Sequence, residues 1–202
     1  MRKPFAIFIA VAAWFAVIAQ LYLMLQNRVV PVPETLVRFI SFFTILTNSI
    51  VAIYFTRLAF IETFVDQKSS LTAVTIYITV VGLIYQVLLR HIWQPQGLQK
   101  IVDELLHTII PLLVIIYWAM YAAKQLLKYA MIPRWLLYPL LYLAWVLFFG
   151  YISHWYPYPF VNVDELGWPQ TLINCAGMTA LFIVMSALFI FIGKGMARRQ
   201  QR

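Results

Sequence analysis

Apolar residues run along this chain in long unbroken blocks, with polar residues gathered between the blocks rather than alternating through them. A transmembrane helix needs roughly 20 mostly apolar residues to cross a hydrocarbon core about 30 Å thick. Six blocks meet that length: Phe5 to Leu25, Leu36 to Phe60, Leu71 to Leu89, Ile101 to Ala123, Trp135 to Ser153 and Thr171 to Ile192. The lack of a two-residue alternation argues against a lipid-facing β-barrel, so helices must satisfy the backbone internally. The pattern predicts an all-α polytopic integral membrane protein, a single six-helix domain over residues 1–202. The first block, behind Met1-Arg2-Lys3, is longer than a usual signal core and no small-x-small site follows Leu25, so it is expected to be retained. Connections of roughly 10 to 17 residues leave no room for a second domain. Neither an internal repeat nor a pair of broken helices marks an inverted-repeat transporter.

Composition sharpens this picture. The chain is 63% hydrophobic and 11% charged, with mean hydropathy +0.83. A soluble domain keeps about 25% charged residues, so a soluble enzyme and a disordered chain are both excluded. A lone Cys175 rules out an internal disulfide, and no Cys or His pair has zinc-like spacing, so the residues require no metal and no cofactor. The net charge of +8 has no long basic run interleaved with polar residues, which argues against a nucleic-acid partner. It fits membrane topology instead. Eleven lysines and arginines fall on one side of the six spans and only Arg28, Arg38, Arg90 and Lys100 on the other. The positive-inside rule then predicts a cell-membrane protein with cytoplasmic N- and C-termini. Glu34, Asp103, Glu104, Asp164 and Glu165 lie outside on this assignment, and Glu62 and Asp66 inside.

A charge at the centre of a span costs about 2.5 to 3.5 kcal/mol on insertion scales, so the positions of polar groups carry information. They gather at the predicted outer ends. His91 follows span three, His107 lies in the first turns of span four, and His154 ends span five. In span two, Arg38, Ser41, Thr44 and Asn48 step by three, three and four, which is one face of a continuous helix. At about 1.5 Å per residue, Ser41 and Thr44 lie about 7 and 12 Å below the outer interface and His107 about 9 Å. Asp103 and Glu104 precede His107 by one helical turn, so either could hold its ring. Pro111 lacks an N–H, which predicts a kink at the level of the residue 107 carbonyl. A hydroxyl stripe alone is equally well explained by helix packing. Acids, a proline and an imidazole at the depth of the hydroxyls favour a site.

The segment His154-Trp155-Tyr156-Pro157-Tyr158-Pro159-Phe160 cannot be helical, and its aromatic side chains suit the membrane interface. It reads as a lid over the outer mouth of the bundle. Arg90 reads as a snorkelling side chain and Asn174 as a packing residue near the outer end of span six. The tail Lys194, Arg198, Arg199 and Arg202 reads as a topology signal that touches anionic lipid.

Six spans, Phe43-Thr44-Ile45-Leu46-Thr47-Asn48, His107 with Pro111, and Trp155-Tyr156-Pro157-Tyr158-Pro159-Phe160 together resemble the androgen-induced gene 1 family and its bacterial relatives. Animal members of that family are multi-pass hydrolases of fatty acid esters of hydroxy fatty acids that use a membrane-embedded threonine and histidine. The resemblance implies Thr44 as nucleophile and His107 as its base. It departs from the animal pattern, which has one more residue between the histidine and the proline, and Ser41 is an alternative nucleophile.

The leading expectation is therefore a threonine-dependent lipid-ester hydrolase acting on a membrane lipid, with protein partners left open. Its oxyanion is expected to rest on Asn48 or Asn174, because the N–H groups of an intact second helix are already used. Arg38 and His154 are counted as supporting residues. The alternative is a transporter or lipid-binding protein, favoured by the stripe reaching Thr47 and Asn48 and opposed by the absence of ionisable residues deeper in the spans. A haem carrier would need facing histidines at equal depth, which His91 and His154 lie too close to water to supply.

Overall fold

The computed structural model describes residues 2–61 and 69–200. Glu62, Asp66, Lys68 and Arg202, which the sequence places at the cytoplasmic face, lie outside the described residues. The described residues contain helices and no strand. Six helices are long and apolar enough to cross a membrane. They are built from α1 (Arg2–Gln26), α3 (Phe43–Phe60), α4 (Ser70–Ile84), α5 and α6 (Gly97–Glu104 and Ile110–Tyr121), α7 (Ile132–Ser153) and α8 (Val163–Gln200), with a short α2 (Val32–Ile40) before α3.

Two spans contain π turns. Tyr85–Leu89 extends α4, and Leu105–Ile109 joins α5 to α6. α4 with its π turn is the centre of the bundle: 67% of its most apolar stretch is buried, against 22% in the spans of α7 and α8, whose outward faces are left for lipid. α1 lies along α3 and buries Ala6, Ile9, Ala10, Ala13, Ala16 and Val17. Small side chains at that spacing let two backbones approach, the main source of attraction between helices when the solvent is itself apolar.

The bundle satisfies its own irregularities. Pro139 lies inside α7 and cannot donate to the Trp135 carbonyl one turn back. The Tyr77 hydroxyl, from α4, donates to that carbonyl at 2.6 Å. α8 bends at Gly167, whose φ of 73° and ψ of 162° are open to glycine but strained for an L side chain.

The second predicted span differs from its expected form. It is a short α2 followed by α3, with Phe42 extended between them (φ −83°, ψ 122°). The reason is tertiary. The Tyr142 hydroxyl of α7 donates to the Ser41 carbonyl at 2.9 Å, and the Ser41 hydroxyl donates back to Val37 O at 2.7 Å. The carbonyl that would continue the helix thus has another partner, and α3 starts afresh at Phe43.

The first turn of α1 and the last turns of α8 lie at one end of the bundle, the terminal end. There Arg2 Nε donates to the Tyr117 hydroxyl at 3.3 Å, and the Lys194 ammonium sits 4.6 Å from the centre of the Tyr129 ring. The candidate residues gather at the opposite end.

Candidate functional site

The break between α2 and α3 sets the position of Thr44. It is the second residue of α3, so its N–H has no partner within the helix. Its hydroxyl oxygen lies 3.4 Å from His107 Nε2 and 3.3 Å from the Tyr158 hydroxyl. Its N–H donates to that same hydroxyl at 3.3 Å. Thr44 and Tyr158 are both buried.

His107 projects from the π turn Leu105–Ile109. Ile110 N–H reaches back to the Leu105 carbonyl, one residue further than in an α-helix. In that register the Leu106 carbonyl would wait for residue 111, which is proline and has no N–H. Asn48 supplies the missing donor: its Nδ2 bonds Leu106 O at 3.3 Å and Thr44 O at 2.9 Å. Here Pro111 works with a widened turn, and the orphaned carbonyl is one residue earlier than the α-helical count predicts. Such π turns recur at functional sites because they re-aim one side chain without ending the helix.

The imidazole is held on three sides. Nδ1 lies 2.9 Å from the Asp103 main-chain carbonyl and 3.3 Å from Asp103 Oδ1. A carbonyl oxygen only accepts, so Nδ1 carries the proton and Nε2 presents a lone pair to Thr44. The Tyr85 ring stacks on the imidazole, with centroids 4.1 Å apart and planes at 15°. The Tyr85 hydroxyl donates to Asp103 Oδ2. This tyrosine comes from the other π turn, so the two irregular turns meet at His107.

Glu104, the other acid in reach by spacing, faces elsewhere. It pairs with Arg90 at 2.5 Å and accepts from the Thr108 hydroxyl at 2.8 Å. Ser41 also stands apart: its hydroxyl donates to Val37 O and accepts from Trp145 Nε1 at 3.1 Å. The single stripe expected for Arg38, Ser41, Thr44 and Asn48 is therefore split by the helix break. Arg38 pairs with Glu34 at 2.6 Å and lies 5.0 Å from the centre of the Trp155 ring. His154 is exposed and meets Asp164 at 3.0 Å. Asn174 donates to the Phe160 carbonyl at 2.9 Å, tying the Pro-rich segment to α8. Asn48 commits both amide hydrogens to main-chain carbonyls. Asn174 does not line the cavity that holds Thr44 and His107.

Thr44, His107, Asp103, Tyr85, Tyr158 and Arg38 line one cavity of about 720 Å³. Its walls are otherwise mostly apolar, from the last turns of α1, the segment after Leu89, and Pro157 and Pro159 of the segment His154 to Phe160. A narrow apolar slot of about 50 Å³ lies behind Thr44 and Tyr158, between α4, α7 and α8. A third, polar chamber of about 370 Å³ shares Tyr85 and Asp103 with the main cavity and adds Arg90, Lys100 and Glu104.

Sequence reasoning passed over Tyr85 and Tyr158. Tyr85 is 18 residues from the acid it bonds and Tyr158 is 114 from the threonine it touches, so no local spacing links either pair. The available signal was a tyrosine hydroxyl within reach of buried surroundings, since such a group needs a partner. Burial pushes the Tyr158 phenol up from its ordinary value, against the hydrogen bonds it shares with Thr44. It stays a protonated donor at neutral pH.

Comparison of the chain with protein-family models, with curated proteins and with solved structures finds no match.

Proposed function

We propose that the protein is a membrane-embedded hydrolase of lipid esters, the activity implied by its resemblance to the androgen-induced gene 1 family. One observation carries the reading: the Thr44 hydroxyl, the His107 imidazole and Asp103 follow one another in bonding distance on the wall of a largely apolar cavity of about 720 Å³. A threonine hydroxyl is a weak nucleophile until a neighbouring base takes its proton. His107 Nε2 offers the lone pair for that step. As Oγ1 bonds the acyl carbon, the carbonyl π pair moves onto oxygen and the Thr44 proton passes to Nε2. The pair then returns, the bond to the leaving alkoxide breaks, and the imidazolium protonates that alkoxide. Water repeats the sequence on the acyl-threonine and frees the acid. Asp103 holds Nδ1 and stabilises the imidazolium in both halves.

The apolar walls suit acyl chains, and a site set in the bundle would receive substrate from the lipid itself. The excess of lysine and arginine at the terminal end supports a cell-membrane location with both termini cytoplasmic. The cavity then opens toward the outer leaflet.

The test is covalent labelling of detergent-purified protein by a fluorophosphonate, with the modified peptide located by mass spectrometry. Labelling on Thr44 that is lost in Thr44→Ala and His107→Ala and kept in Ser41→Ala is expected. No labelling of folded wild-type protein would overturn the hydrolase and favour a lipid-binding or transport role for the same cavity.

A further inference from the structure

The developing oxyanion needs a donor: both Asn48 amide hydrogens go to main-chain carbonyls, and Asn174 lies outside the lining of the cavity. Two other donors stand beside the nucleophile. The Thr44 N–H is free of its helix because α3 begins one residue earlier. The Tyr158 hydroxyl lies 3.3 Å from both the Thr44 nitrogen and its Oγ1. We propose that the Thr44 N–H and the Tyr158 hydroxyl together hold the oxyanion of the tetrahedral intermediate, which makes Tyr158 a catalytic residue. This rests on the reading of Thr44 as the nucleophile.

The chemistry follows from the ground state. Tyr158 accepts from the Thr44 N–H and, with the Thr44 proton directed at His107, donates to Oγ1. When Oγ1 bonds the acyl carbon, it spends a lone pair and becomes a poorer acceptor. The carbonyl oxygen, two bonds from Oγ1, gains a full negative charge beside the same donors. Both bonds can then turn to the oxyanion with small movements, so the donors are preorganised rather than recruited. The positive end of the 18-residue α3 points the same way. The phenol keeps its proton, because burial opposes ionisation.

The surrounding contacts fix Tyr158 in place. Its ring stacks on Phe160, with centroids 5.2 Å apart and planes at 5°, and meets Phe42 edge-on at 5.9 Å. The strap His154 to Phe160, read from sequence as a lid, thus carries a reacting group into the site. It also separates the main cavity from the narrow slot, since Thr44 and Tyr158 line both.

The experiment is the rate of fluorophosphonate labelling over a range of probe concentrations for wild type, Tyr158→Phe and Tyr138→Phe. In labelling, Oγ1 bonds phosphorus, fluoride leaves and the proton goes to His107, while the phosphoryl oxygen takes the oxyanion position. Tyr158→Phe keeps both ring contacts and removes only the hydroxyl. Tyr138→Phe is the control, since it removes the hydroxyl of another, half-buried tyrosine, bonded to Thr47 at 2.9 Å. The maximal labelling rate is expected to fall roughly 10²- to 10³-fold in Tyr158→Phe with the half-saturating concentration unchanged, and to stay near wild type in Tyr138→Phe. A rate within twofold of wild type in Tyr158→Phe, with Thr44→Ala unlabelled, overturns the role of Tyr158 and leaves the hydrolase standing. An equal fall in both tyrosine variants overturns it as a structural effect. Failure of the wild type to label overturns the hydrolase and this inference with it.

Discussion

Gly82 lies against the main chain of His107: a Cβ at residue 82 would stand 3.0 Å from the His107 carbonyl oxygen and 3.3 Å from Pro111 Cβ. α4 therefore packs on the π turn through a residue with no side chain, and any added atom pushes on the turn that aims the imidazole. Gly82→Ala is expected to lower stability by about 1 to 3 kcal/mol and to slow labelling at Thr44. Thermal melts and labelling rates in detergent check this. Gly177→Ala is the control, because nothing lies within 4 Å of its added Cβ. Equal behaviour of the two variants would remove the argument.

Asp103 and the main-chain carbonyl of the same residue both face His107 Nδ1, and their roles differ. The carbonyl fixes the tautomer, so Asp103→Asn keeps a lone pair on Nε2 and loses the charge that stabilises the imidazolium. A hydrogen bond to a charged group contributes about 1.5 to 3 kcal/mol, so the maximal rate is expected to drop roughly ten- to hundredfold. Tyr85→Phe keeps the stack on His107 and removes one donor to the carboxylate; a smaller loss of rate is expected. Saturation kinetics of the two variants decide the order, and Tyr85→Phe falling below Asp103→Asn would reverse the assignment.

Lys124 is buried at the terminal end, its ammonium donating to Ala119 O at 2.8 Å and lying 5.3 Å from the Trp118 ring centre. Burial lowers it from the ordinary 10.5. Between the lowered value and that of the unfolded lysine, the unfolded chain holds a proton that the folded chain has released. Stability contributed by this group is therefore expected to rise with pH through that window and level off above it. The melting temperature of wild type relative to Lys124→Met, followed from neutral pH to above pH 10.5, should rise across that window. A constant difference would show that Lys124 does not titrate differently on folding.

Orientation can be read directly. With Cys175 replaced by serine, a cysteine at Gln94 is expected to react with a membrane-impermeant maleimide on intact cells. A cysteine at Lys128 is expected to react only after the membrane is opened. The reverse pattern would place the cavity on the cytoplasmic side.

The six spans were legible in the sequence because the free energy of leaving water is a sum over a contiguous segment, and that sum needs no knowledge of neighbours. The crowding of hydroxyl, acid and imidazole at one end was legible for the same reason, since depth is a count of residues. Which of them meet was decided by the tertiary structure. Asp103 and Glu104 both precede His107 by about one turn, yet Asp103 faces it while Glu104 pairs with Arg90, because His107 projects from a π turn whose wider register sets which preceding residue it meets. Ser41 and Thr44 share a face on an ideal helix, yet Tyr142, 101 residues away, takes the Ser41 carbonyl and breaks the helix between them. That break frees the Thr44 N–H. Tyr85 and Tyr158 reach the site from separate segments by packing alone. Local pattern sets the length and depth of each helix, whereas the azimuth of a side chain around it depends on bonds made with other helices, which exist only once the bundle has closed.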